Sequence, residues 1–279
     1  MILIAILLGT LSAGIGSVWL AALLSFGMLA RYTQHMLSLA AGALLATAFM
    51  HLLPEAFESQ IDPQKLFATL LVGLVFFFLL DKAELWHHGH EHHDAERAVQ
   101  PGSSIASQSL ADHGHSHEDG HGHGHGHNHA SGGWAVLAGD SVHAFGDGIL
   151  IASAFMADLR LGVVATLAVL VHEVPHHMGD LIVLRQSSGN RRVALVKVTL
   201  AGAVTALGGA VGYALVDKLF DFLPFFLIIA SSSFVYVALA DLIPQLQKRA
   251  SAGETAAQIA WLAIGIGLVT LISGLVHAH

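Results

Sequence analysis

His172-Glu173-Val174-Pro175-His176-His177-Met178-Gly179-Asp180 interrupts an apolar run from about residue 161 to residue 185. That run is long enough to cross the ~30 Å hydrocarbon core of a bilayer, which takes about 20 helical residues. On a helix His172, His176 and Asp180 share a face at i+4 steps, and Glu173 with His177 forms an adjacent stripe. Insertion scales put about 2.5–3.5 kcal/mol on each ionised side chain at the membrane centre, so these residues must face partners rather than lipid. The run predicts one buried helix of a membrane bundle.

The preceding run, about 133–157, supplies the first partner. It carries Asp140, His143 and Asp147 at i, i+3 and i+7, again on one helical face. Six further spans are drawn at about 2–29, 35–56, 65–86, 192–216, 222–246 and 256–277. The expected fold is therefore an all-α integral membrane protein of eight transmembrane helices. The organisation reads as residues 1–86 for spans one to three, a hydrophilic loop at 87–132, residues 133–186 for spans four and five, and 187–279 for the rest. The first run is too long for a cleaved leader and is read as a retained span. The ~10-residue alternation of a membrane barrel is missing.

Composition agrees. Of 279 residues 54% are hydrophobic and 11% charged, against about 25% charged in ordinary soluble domains. A net charge of −8 argues against a nucleic-acid partner. The chain has no cysteine, so a metal must be held by nitrogen and oxygen. Mixed imidazole and carboxylate suits Zn²⁺, with Fe²⁺, Mn²⁺, Ni²⁺, Co²⁺ or Cd²⁺ as alternatives, and no organic cofactor is expected. Pro175 lacks an amide hydrogen for the Val171 carbonyl, which predicts a helix bend beside His172.

The loop 87–132 holds 13 histidines, among them His113, His115, His117, His121, His123, His125, His127 and His129. Alternation with glycine gives no core, so a flexible segment is expected. Weak metal capture and a tolerated low-complexity insert are weighed evenly.

Lys and Arg set the orientation. With the N-terminus outside, the inside loops and helix ends hold nine basic residues and the outside loops hold Lys65, Arg160 and Lys218. That bias puts both termini outside, and the expected location is a bacterial inner (plasma) membrane. An internal echo joins Ala48-Phe-Met-His51-Leu-Leu-Pro54-Glu55 to Ala238-Leu-Ala-Asp241-Leu-Ile-Pro244-Gln245. The two lie on spans of opposite direction, which hints at an inverted repeat of spans 1–3 and 6–8 around spans 4–5. His51, Glu55 and Asp241 are read as entrance or accessory residues.

These motifs resemble the ZIP (Zrt-/Irt-like) metal transporters, in the branch with a histidine-rich loop between helices three and four. His143-Ala144-Phe145-Gly146-Asp147-Gly148 is similar to the family's His-Asn-Phe-x-Asp-Gly, and residues 172–180 to His-Glu-x-Pro-His-Glu-x-Gly-Asp, with His177 replacing the second Glu. His51-Leu-Leu-Pro54-Glu55 is also family-like. The resemblance implies a 3+2+3 inverted-repeat fold, metal transport toward the cytoplasm, and a transport site of His143, Asp147, His172, Glu173 and His176. Asp140, His177 and Asp180 complete the candidate ligand set. Two departures stand out. Ala144 replaces an often ligating Asn, and residues 192–216 lack the acid that a second metal position takes from helix six in some relatives. These argue against a two-metal site, with His177 as the residue that would compensate.

Two other readings compete. His172-Glu173-x-x-His176 satisfies the zinc-peptidase pattern H-E-x-x-H, with Asp147 as a third ligand. Pro175 inside that turn and the surplus of His143, His177 and Asp180 argue against an enzyme. His143-x-x-x-Asp147 also fits a cation-diffusion exporter, but those have six spans and a cytoplasmic C-terminal domain. The partners expected are divalent metal ions and the lipid bilayer, with a second copy of the chain as a further candidate.

Overall fold

The computed structural model describes residues 1–26, 33–97, 130–246 and 251–277. Segments that continue into one another form eight long helices among them, with no strand. They are α1 (residues 2–26), α2 (residues 33–57), α3 (Pro63–Arg97), α4 (Ala130–Ala157), α5 (Leu159–Ser188), α6 (Arg191–Lys218), α7 (residues 223–246) and α8 (Ala252–His277). Seven of these, all but α4, are long and apolar enough to cross a membrane. In α4 the polar residues Asp140, His143 and Asp147 and its five glycines dilute the apolar content of 28 residues.

One boundary differs from expectation. Span three was to end at residue 86, yet α3 runs on to Arg97. Its 35 residues measure about 50 Å at 1.5 Å per residue, more than the hydrocarbon core. Residues 87–97 contain no proline and one glycine, so nothing in their sequence stops the helix. The loop histidines from His113 to His129 lie outside the described residues.

Local signals set the ends of the site helices. Asp158 caps α5 by accepting from the Arg160 amide at 2.8 Å, and Gly189 ends it with φ 62°, a conformation that suits glycine. Asn190 then caps α6, accepting from the Arg192 amide at 2.9 Å. The α5 helix is unbroken through Pro175.

Packing is graded from inside to outside. In its most apolar stretch α2 is 72% buried and α5 61%, whereas α3 and α8 are each 11% buried. The last two therefore present apolar side chains such as Leu71, Phe76, Leu271 and Leu275 outward, as helices facing lipid do. The α8 helix lies on α2, α3 lies on α7, and α1 packs on α5 and α6. The α4 and α5 helices lie against each other at the centre, and α4 is drawn tightly onto α6. A Cβ on Gly208 would run into the Phe145 carbonyl, and one on Gly148 into the Thr205 carbonyl. Small residues permit such backbone approach between membrane helices.

Three helices contain π-helical turns: Ser12–Gly16 in α1, Ala48–Leu52 in α2 and Val237–Leu242 in α7. The last two coincide with the sequence echo, so His51 and Asp241 occupy corresponding places in them.

Candidate metal centre

Where α4 meets α5, His143, Asp147, His172 and Glu173 each bring a ligand atom to within 4.8 Å of the others. The separations are informative. His172 Nε2 lies 3.3 Å from Asp147 Oδ2 and 3.1 Å from Glu173 Oε1. His143 Nε2 lies 3.3 Å from Glu173 Oε1, 3.7 Å from Asp147 Oδ2 and 3.5 Å from His172 Nε2. Four donors on Zn²⁺ at about 2.0–2.1 Å stand about 3.3 Å apart along each tetrahedral edge. Five of the six edges are thus near that length. A direct charge-assisted N–H···O bond would be shorter, about 2.7–2.9 Å.

The protonation pattern points the same way. His172 Nδ1 is 3.2 Å from the Ala168 carbonyl, which can only accept, so Nδ1 carries the hydrogen. In neutral His172 the lone pair on Nε2 then faces two carboxylates. Asp147, His172 and Glu173 are 3%, 1% and 2% exposed, and neither Glu173 oxygen has a hydrogen-bond partner. Lone pairs and carboxylates converging away from water need positive charge among them, from a bound metal ion or from a proton on a histidine.

Glu173 belongs to a second group. Its Oε2 lies 3.2 Å from His177 Nε2, which is 3.8 Å from Asp140 Oδ1. Asp140, Glu173 and His177 also have ligand atoms within 4.8 Å of one another. The two groups therefore share the Glu173 carboxylate, and α4 contributes Asp140 to the second.

His176 stands apart from both groups. Its ring centre is 6.0 Å from those of His143 and His172, but its Nε2 reaches Asp241 Oδ2 at 3.1 Å. Gln245 donates to the other oxygen of Asp241 at 2.8 Å. Asp180 is partly buried and lies in neither group. His51 and Glu55 sit on α2, away from α4, with His51 Nδ1 3.4 Å from Ser273 Oγ. Gln245, Ser273 and Ser17, whose hydroxyl touches His177, escaped the sequence reading. Short polar residues on apolar spans carry no periodic signal that marks them.

The family model of the ZIP zinc transporters matches residues 1–273. The chain is 26% identical to a zinc transporter ZIP13 homolog of Drosophila melanogaster, over 85% of this chain and 76% of that protein. It is 26% identical to zinc transporter ZIP13 of Pongo abelii, over 96% and 77%. Other relatives are longer: the match to human zinc transporter ZIP4, at 28% identity, covers 77% of this chain but 39% of that protein. Donor groups that converge at the centre of a helical membrane bundle and a family match over nearly the whole length lead to one conclusion: the chain belongs to the ZIP zinc transporter family.

Proposed function

We propose that this protein carries divalent metal ions, zinc first among them, across the membrane, and that the ion is held between α4 and α5. The observation that carries this reading is the near-tetrahedral spacing of His143, Asp147, His172 and Glu173 in a bundle where four such groups would otherwise be left uncompensated. Glu173 bridges to a second position completed by Asp140 and His177. The transported ion is the substrate. His176, Asp241 and Asp180 serve the path to or from it, and His51 with Glu55 lies on the far arm of the same bundle.

The names of the ZIP13 and ZIP4 relatives support zinc as the cargo. Transport is not catalysis, and the arrangement of Glu173 disfavours a peptidase. A general base must face water and substrate, yet Glu173 is 2% exposed and set among histidines. The second histidine of the peptidase pattern, His176, is turned to Asp241.

The 3+2+3 inverted repeat belongs to the same reading. It is supported by the exchange of partners between halves (α2 with α8, α7 with α3) and by the paired π turns. Both termini are read as outside, with transport directed inward.

The test is metal uptake into proteoliposomes. Wild-type protein is expected to take up zinc, with other divalent ions as competitors. His143→Ala and His172→Ala are expected to abolish uptake, because loss of one of about four ligands weakens a zinc site severely and strands the remaining charges. Wild-type rates in folded, inserted variants would overturn the site.

A further inference from the structure

The α1 helix carries no ionisable side chain between Ile2 and Phe26, yet it touches the centre at one polar point. Ser17 is fully buried and follows directly on the π turn Ser12–Gly16. That turn packs against both α5 and α6. The Ser17 hydroxyl donates to the Gly14 carbonyl at 2.7 Å, and its oxygen is 3.0 Å from His177 Nδ1.

A serine hydroxyl has one hydrogen and two lone pairs. Because its hydrogen goes to the Gly14 carbonyl, the oxygen can only accept from His177, so Nδ1 carries a hydrogen. In neutral His177 the lone pair then lies on Nε2, the atom 3.2 Å from Glu173 Oε2 and 3.8 Å from Asp140 Oδ1. A hydrogen bond that holds the far nitrogen of a histidine is the ordinary way a protein aims such a residue at a metal. His172 is held likewise by the Ala168 carbonyl of its own helix. The holder of His177 comes from a helix 160 residues away in the chain.

We infer that Ser17 is a positioning residue for metal binding: through His177 Nδ1 it presents His177 Nε2, with Glu173 and Asp140, to the second ion position. The inference rests on the proposed transport site and adds α1 to it. Without the hydroxyl, neutral His177 is free to move its hydrogen to Nε2 and donate it to Glu173. That arrangement satisfies the empty site and competes with the ion. Replacement of Ser17 therefore weakens metal binding without removing any ligand.

The experiment uses the full chain, with zinc affinity measured by calorimetry in detergent and zinc uptake measured in proteoliposomes. Ser17→Ala is expected to weaken zinc affinity and raise the KM for uptake by about tenfold, the lower end of what loss of such a partner costs. Maximal rate should change less than KM. Ser17→Thr, which keeps a hydroxyl, is expected to recover most of the loss. In a His177→Ala background Ser17→Ala should have no further effect, because the two act as one unit. Wild-type affinity in Ser17→Ala, or a full additional penalty in the His177→Ala background, would overturn the inference. If the wild-type chain binds zinc but moves none, the transport reading fails while the calorimetric comparison still decides the role of Ser17.

Discussion

At the scale of single residues, His176 separates two kinds of polar contact on α5. Its neighbours His172, Glu173 and His177 turn toward α4, but His176 pairs with Asp241 of α7 at 3.1 Å. Both side chains are partly exposed, at 33% and 40%, as is His143 of the central group at 34%. An exposed pair contributes little stability, and under the proposed function this one, held by Gln245, serves the ion's path. Asp241→Ala and His176→Ala are therefore expected to slow zinc uptake similarly, with a double variant hardly worse than either single one. Additive losses in initial uptake rate would show that the two act independently. The choice of His143, Asp147, His172 and Glu173 with His176 as one site came from the resemblance to the ZIP motifs. Helical spacing alone made two polar faces legible in the sequence: His143 and Asp147 with Asp140 on one span, and His172 beside the Glu173 stripe on the next. The turning of His176 was not, since i+4 spacing places it on the same face as His172 without saying which neighbouring helix that face meets. Ser17 was invisible for the same reason, because its meaning depends on a histidine 160 residues away.

At the scale of helices, the centre depends on how closely α4 is held to α6. The α4 residues Asp140, His143 and Asp147 are followed at once by Gly148, whose missing side chain lets Thr205 of α6 approach. Gly208 of α6 makes the reciprocal approach to Phe145. A Gly208→Val change would force the helices apart along the stretch that presents His143 and Asp147, with a cost of about 1–3 kcal/mol if the bundle accommodates it. We expect a lower melting temperature in detergent together with weakened zinc binding, whereas Gly253→Ala, with open space around it, should leave both unchanged. Equal behaviour of the two variants would remove the α4–α6 contact from the account of the site. The spans themselves were readable because apolar length is a direct consequence of bilayer thickness. The π turns were not, although the echo around His51 and Asp241 had marked two of the three places where they occur. A π turn depends on what packs beside the helix as well as on its own residues.

At the scale of the whole molecule, orientation decides what the site accomplishes. The chain has 12 Lys and Arg, and nine of them fall on one side if the first helix begins outside. Positive loops are retained in the cytoplasm; in the proposed orientation the α3–α4 and α5–α6 connections would face inward and the α6–α7 connection outward. In that orientation a divalent ion moving inward would gain about 4.6 kcal/mol per 100 mV of interior-negative potential, which favours the proposed uptake. The α6 helix offers a compact check, since its two ends lie at opposite connections: Asn190 caps its start and Leu219, 40% exposed, follows its end. The natural chain has no cysteine, so a single introduced thiol reports without background. In intact cells, an impermeant thiol reagent added from outside is expected to label Leu219→Cys and to leave Asn190→Cys and Gln100→Cys unmodified until the membrane is opened. Labelling of the residue-190 and residue-100 thiols with protection of the residue-219 thiol would invert the protein, and the same potential would then oppose metal entry and favour export. Labelling of both ends of α6 would mean that the helix does not cross, which would displace α4 and α5 from the bundle centre and leave their carboxylates without an ion path to serve.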